Sequence, residues 1–200
     1  MACLLRLDQY SIEKLMTSKS VLHFAPEGYL CELFKQKTRR YVAADLNEQL
    51  TQNRDYKQLD ISDMRSIGNE SFDLVIACDV LEHVPNHVQA IEEIFRILVP
   101  GGCAILTVPQ EDGRQKTFED PDVIDPDERI RMFGQEDHVR IYGDDFPEFL
   151  TAAGFKVETV SRHNFPEDVI LTNVLITPTS DSDIRPPCSE RRLFFAYRPN

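Results

Sequence analysis

An α/β architecture, with parallel strands covered by helices on both faces, is expected from three features of this 200-residue chain. The run Phe72 to Cys78 (FDLVIAC) is almost continuously apolar, as a strand buried on both faces must be. It leads into a segment where Val88, Ile91, Ile94, Phe95 and Leu98 recur at helical spacing, closed by Pro100, Gly101 and Gly102. A second buried strand, Cys103 to Val108 (CAILTV), comes next, and strand–helix–strand order is the unit of a parallel sheet.

The remaining elements extend this pattern. Met1 to Thr17 carries apolar residues at roughly helical spacing, from Leu4 to Met16. Val21 to Ala25 reads as a short buried strand, ended by the turn residues Pro26, Glu27 and Gly28. Tyr29 to Lys37 is helical, with Leu30, Leu33 and Phe34 on one face, and Tyr41 to Ala44 is a second strand ending in Asp45. Lys57 to Asp60 is a weaker third. After the strand at Cys103, a polar stretch rich in Asp, Glu, Arg and Pro runs from Pro109 to Tyr142, too long for a simple connection. Asp144 to Ala153 is helical, Gly154 breaks it, and Phe155 to Val160 and Leu193 to Tyr197 are strands. Between them, Val169 to Ile176 reads equally as helix or strand, and Thr177 to Ser189 as an exposed loop. A single domain over 1–200 is expected, with a helical segment at 1–17, a long loop at 111–142 and an insertion at 161–192.

Bulk properties narrow the partners. The net charge of −12 repels phosphate backbones and anionic lipid, so neither nucleic acid nor a membrane is an expected partner. Five scattered cysteines, Cys3, Cys31, Cys78, Cys103 and Cys188, form no CxxC or Cys/His cluster, so no metal site and no disulfide framework is expected. The amino-terminal segment does not read as a leader peptide, and no apolar run reaches the ~18 residues of a membrane span. A reducing, cytoplasmic setting is expected. Oligomeric state has no signature in the sequence.

Parallel sheets bind ligands at the carboxyl ends of their strands. Asp45 ends the second strand, where an acceptor-only carboxylate can take both hydroxyls of a ribose or cap a turn. Asp60, followed by Ile61, can take an amino group of a purine while Ile61 covers the ring, or can lead a turn. The turn Phe24 to Tyr29 opens a helix, and free N–H groups at such a start suit an anionic group.

The run FDLVIACDVLEHVPNHVQAIEEIFRILVPGGCAILTVP resembles the central segment of class I S-adenosylmethionine-dependent methyltransferases of the small-molecule type. LHFAPE, AADL and LDISDM fall at the matching earlier strand ends, and the stretch TFEDPDVIDPDERIRMFGQEDHVRIYG resembles a bacterial subgroup with the same variant first motif. The resemblance covers roughly Val21 to Val160. It implies a Rossmann-like, seven-stranded sheet of order 3-2-1-4-5-7-6 with the seventh strand antiparallel. It implies S-adenosylmethionine as cofactor, with its methionine end over Phe24, Ala25, Pro26 and Glu27, its ribose on Asp45 and its adenine near Leu46, Asp60 and Ile61. Cys78 and Asp79 would line the floor under the sulfonium, and Glu82 and His83 would begin a segment that closes the pocket. The chain departs from the family where its first motif has His23 in place of an acid, and Ala25 and Tyr29 in place of two glycines.

Methyl transfer is an in-line displacement on an activated carbon, so the protein chiefly aligns the acceptor and excludes water. A base is needed where the acceptor holds its proton tightly. Candidates are His83, His138 and Asp79, with Tyr142 as a hydrogen-bonding partner. Glu111 to Tyr142 is expected to cover the acceptor site as a lid. In its closing H-V-R-I-Y, alternation puts His138, Arg140 and Tyr142 on one side, facing a small polar acceptor or else anchoring the loop. Asp120, Asp122, Asp125 and Asp127 suggest a metal loop by composition, but Pro121 and Pro126 break the spacing of a calcium site. Two other readings remain compatible. One is a nicotinamide-dependent enzyme, which would normally need the absent G-x-G-x-x-G. The other is a non-catalytic binding module of the same fold.

Overall fold

The apolar runs become strands of one sheet, and the amphipathic segments become the helices laid on it. The computed structural model describes residues 16–26, 28–47, 56–111, 113–161, 164 and 192–200. In chain order these hold β1 (Ser20–Phe24), α1 (Gly28–Lys37), β2 (Arg40–Asp45), β3 (Tyr56–Gln58), β4 (Phe72–Cys78), α2 (His87–Ile97) and β5 (Leu98–Thr107). There follow β6 (Phe118–Glu119), α3 (Pro126–Phe133), β7 (Arg140–Ile141), α4 (Phe146–Ala152), β8 (Lys156–Val160) and β9 (Leu193–Tyr197). A 3-10 turn, Leu81–His83, lies between β4 and α2. The expectations for most of 1–17 and 161–192, and for Glu27, fall outside the described residues.

Seven strands pair in the order β3-β2-β1-β4-β5-β9-β8. The first five run parallel, and β9 lies antiparallel between β5 and β8. With β8 and β9 as the sixth and seventh strands, this is the expected order and direction. The central position of β4 follows from its sequence. Leu74 and Ile76 face one apolar layer with Leu30 and Phe34 of α1, while Val75 and Ala77 face the other with Ile91 and Ile94 of α2. Each such large apolar side chain, fully buried, stabilises the fold by about 1.5–3 kcal/mol before the entropy of ordering is counted.

Helix α2 begins where the Asn86 side chain accepts the Gln89 amide at 3.2 Å. Its inner stripe is His87, Ala90, Ile91, Ile94 and Ile97, whereas Val88, expected on that face, is 44% exposed. The helix ends at Leu98, whose backbone is already extended, and not at the glycines. Pro100 to Gly102 instead form a bulge inside β5, across which the register jumps from Phe72↔Leu98 to Leu74↔Cys103. Gly101 holds φ +73°, and a Cβ on Gly102 would meet the Val99 carbonyl at 2.8 Å, so both positions require glycine.

The stretch from Pro109 to Tyr142 is more regular than its polarity suggests. It contains α3 and the antiparallel pair β6–β7. Val123, Phe133 and Ile141, with Phe118 against them, form a small core of its own. Asp125 caps α3 by accepting the Glu128 amide, Pro126 sits in the first turn, and Gly134 closes the helix at φ +90°. No helix among the described residues is long and apolar enough to cross a membrane.

Candidate functional site

Register brings the strand ends level. Phe24 pairs with Ala44 on one side and Ala77 on the other, so Ala25, Asp45 and Cys78 reach the same carboxyl edge of the sheet. Two of these ends turn through left-handed backbone on non-glycine residues, Ala25 at φ +44° and Asp79 at φ +53°. Such conformations persist where surrounding contacts enforce them. The Ala25 amide donates to the Ala44 carbonyl at 2.9 Å. The Asp79 amide donates to the carbonyl and hydroxyl oxygens of Thr107, and the Thr107 hydroxyl donates to Asp79 Oδ1 at 3.0 Å. Ala25 thus adopts at the first glycine place of the motif the conformation that glycine would supply.

His23, in the usual acidic place, turns inward. Its Nδ1 lies 3.0 Å from the Tyr41 hydroxyl, its ring packs edge-on against Phe34, and burial lowers its pKa to about 4. It supports the layer under α1 rather than the edge.

The remaining edge residues divide by exposure. Phe24 and Pro26 are buried, and Ala25 is exposed. Asp45 is half-buried, with Oδ1 accepting the Asn47 amide at 2.8 Å, beside Leu46, which is 64% exposed. A carboxylate next to an exposed apolar side chain suits a ribose diol joined to a flat ring. Asp60 Oδ1 accepts both the amide and the hydroxyl of Ser62. Ile61 is packed in the core at 4% exposure, so its side chain is committed to Leu59 and Met64 rather than open to a ring. Cys78 is half-buried and Asp79 exposed.

A second group assembles on the acceptor side. The Val139 amide donates to the Glu82 carbonyl at 3.0 Å and ties the end of the lid to the 3-10 turn. This sets His138 against His83, ring centroids 4.7 Å apart and edge to face. His138 Nδ1 donates to the Phe133 carbonyl at 2.9 Å, and His83 Nδ1 pairs with Asp137 Oδ2 at 3.1 Å. Burial lowers the His138 pKa from its ordinary value, helped by the neighbouring His83 and partly opposed by the Phe133 carbonyl and by the charges of Asp137 and Asp79.

Arg140 and Tyr142 do not face an open site. Arg140 is 1% exposed, and its guanidinium donates to the carbonyls of Leu81, Val84 and Pro85 and to Glu119. Tyr142 is fully buried, its hydroxyl 3.0 Å from His87 Nδ1 and donating to the Leu81 carbonyl at 3.3 Å; burial raises its pKa. Both anchor the lid to the turn after β4, whose carbonyls accept from them. His87, unnoticed in the sequence, is the other half of that anchor. The acidic residues do not converge: Asp120 accepts the Asp122 amide, and Asp125 caps α3. Glu82, buried at 1% exposure, was legible only as part of the D-V-L-E-H-V motif.

A family described as methyltransferase domain matches residues 22–106, the segment that carries β1 to β5. Over 136 residues the chain is 21% identical to a ubiquinone biosynthesis O-methyltransferase of Psychrobacter cryohalolentis, a match covering 66% of this chain and 49% of that one. The chain therefore spans about half the length of the curated relatives it matches. An S-adenosylmethionine-dependent methyltransferase from Mesorhizobium loti superposes with TM-score 0.66 at 15% identity, covering 98% of this chain and 100% of that one. A 1,6-didemethyltoxoflavin-N1-methyltransferase of Burkholderia thailandensis, bound to 1,6-didemethyltoxoflavin and S-adenosylhomocysteine, superposes with TM-score 0.60 at 17% identity, covering 92% and 72%. At these identities the superpositions speak for a common fold.

Proposed function

We propose that this chain, a class I S-adenosylmethionine-dependent methyltransferase, methylates a hydroxyl of a small polar molecule held between the β4 edge and the lid. The observation that carries the reading is the meeting of His83 and His138 beside the end of β4, with Asp79 close enough for its charge to act on His138. A hydroxyl must lose its proton as it is methylated, and an imidazole is the side chain suited to accept a proton near neutral pH. The cofactor supplies an electrophilic methyl on a sulfonium. Asp45 holds its ribose, Leu46 and Asp60 flank its adenine, and Phe24 to Pro26 with Cys78 and Asp79 receive its methionine end. Arg140 and Tyr142 are positioning residues that hold His138 in place through the lid. The kinship with ubiquinone biosynthesis O-methyltransferases supports an oxygen acceptor. The acidic surface, of net charge −12, argues against a nucleic-acid acceptor.

The test is a screen of metabolite fractions for methyl transfer from labelled cofactor, repeated with His138→Ala. The reading predicts an oxygen-methylated product, with turnover lowered at least tenfold by the substitution and cofactor affinity unchanged. A methylated nitrogen or carbon as the main product contradicts it.

A further inference from the structure

We infer that Glu82, His83 and His138 form a three-ligand site for a divalent cation of the zinc class, placed to hold the acceptor oxygen. One donor atom from each of the three lies within 4.8 Å of the others, and among the described residues no other group of three His, Cys, Asp or Glu does so. Two imidazoles and a carboxylate are a donor set that zinc and its neighbours accept.

Proximity alone would not distinguish a ligand set from two packed rings. The backing of each ring does. His138 Nδ1 donates to the Phe133 carbonyl, and His83 Nδ1 to the Asp137 carboxylate. With Nδ1 donating in both rings, Nε2 is the nitrogen left to offer a lone pair to a cation. Metal-ligating histidines are held by such second contacts, which fix tautomer and ring orientation. Glu82 adds a buried carboxylate. A buried negative charge is stabilised by a cation beside it.

The three donors come from two elements that are locked together. Glu82 and His83 lie in the 3-10 turn, and His138 precedes β7. The Val139 amide to the Glu82 carbonyl and the Arg140 fan to Leu81, Val84 and Pro85 hold the two at fixed separation. Such rigidity favours a defined coordination geometry. Three protein ligands leave further positions for an oxygen of the acceptor. With both Nε2 lone pairs taken, the cation would replace the imidazoles as the agent of deprotonation, raising the acidity of the bound hydroxyl so that its proton passes to Asp79 or water. This role in catalysis rests on the methyltransferase reading. Cation binding itself does not.

The experiment titrates the full chain, stripped of metal by a chelator, with Zn2+ alone, and follows free zinc with an indicator. Co2+ in place of zinc reports coordination through its visible bands. The expected result is one Zn2+ per chain, weakened at least tenfold by His83→Ala and by Glu82→Gln, with the Co2+ bands lost in His83→Ala. Should His83→Ala fail to fold by circular dichroism, Asp137→Asn on the exposed flank substitutes, with about tenfold weakening expected from loss of the second contact. Absence of stoichiometric zinc overturns the inference. So does zinc held equally by the wild type and by the variant that folds. S-adenosylmethionine affinity is measured on the same metal-free samples: its absence with zinc bound would sink the methyltransferase reading and leave the cation site standing.

Discussion

The guanidinium of Arg140 donates to the Leu81 carbonyl at 2.9 Å, across 59 positions of sequence. The same group satisfies Val84 and Pro85, so one side chain closes the turn that carries Glu82 and His83. Arg140→Ala leaves several buried carbonyls without donors and should destabilise the chain by about 3 kcal/mol or more. Arg140→Lys should recover about half of this, since an ammonium cannot reproduce the planar fork. Urea denaturation checks both. Wild-type stability in Arg140→Ala would show that the turn does not depend on this anchor.

Ala25 holds φ +44° at the end of β1, beside the Ala44 carbonyl that its amide meets. A left-handed backbone costs an L-residue about 1–2 kcal/mol, most of which glycine avoids. After glycine's larger chain entropy is subtracted, Ala25→Gly should raise stability by about 0.5–1 kcal/mol. Ala25→Val should lower it by about 1–2 kcal/mol, because a β-branched residue is worse at positive φ. Thermal melts of the pair should move in opposite directions. A stabilised Ala25→Val would contradict the turn geometry.

Burial lowers the pKa of His23 and of His87 to about 4 in each case, with the charge of Arg140 adding to the effect at His87. In the unfolded chain both titrate near the ordinary value of about 6.5. Below that pH the unfolded state binds protons that the native state does not, so both contributions are complete above pH ~6.5 and decline toward pH ~4. Each amounts to at most about 3 kcal/mol. Stability at pH 5 should therefore fall below that at pH 7, and His23→Asn should flatten the slope. An unchanged slope in that variant would mean that His23 is not buried as a neutral ring.

Legibility from sequence tracked the range of the interaction. β4 and the second half of β5, from Cys103, are written in their own residues, because a strand buried on both faces is mostly apolar. The strand order came from kinship, since pairing partners such as Leu106 and Phe194 leave no mark on one another's neighbours. Helix α3 went unread because its charged face outweighed clear end signals, Asp125–Pro126 at one end and Gly134 at the other. Alternation in H-V-R-I-Y put His138, Arg140 and Tyr142 on one side of the segment, yet it could not say what each would meet. Arg140 and Tyr142 meet buried carbonyls more than fifty positions away, whereas His138 meets His83. Ile61 shows the opposite case: a residue placed at a strand end by motif is claimed by the core.

The central claim is that the strand-end edge binds S-adenosylmethionine through Asp45, and isothermal titration of the wild type and Asp45→Ala tests it most directly. The account predicts one molecule bound per chain in the micromolar range. Asp45→Ala should weaken binding by about 1.5–3 kcal/mol through lost charge-assisted hydrogen bonds, roughly ten- to hundredfold. Titration in which NAD binds and S-adenosylmethionine does not, or in which Asp45→Ala binds as tightly as the wild type, would contradict it.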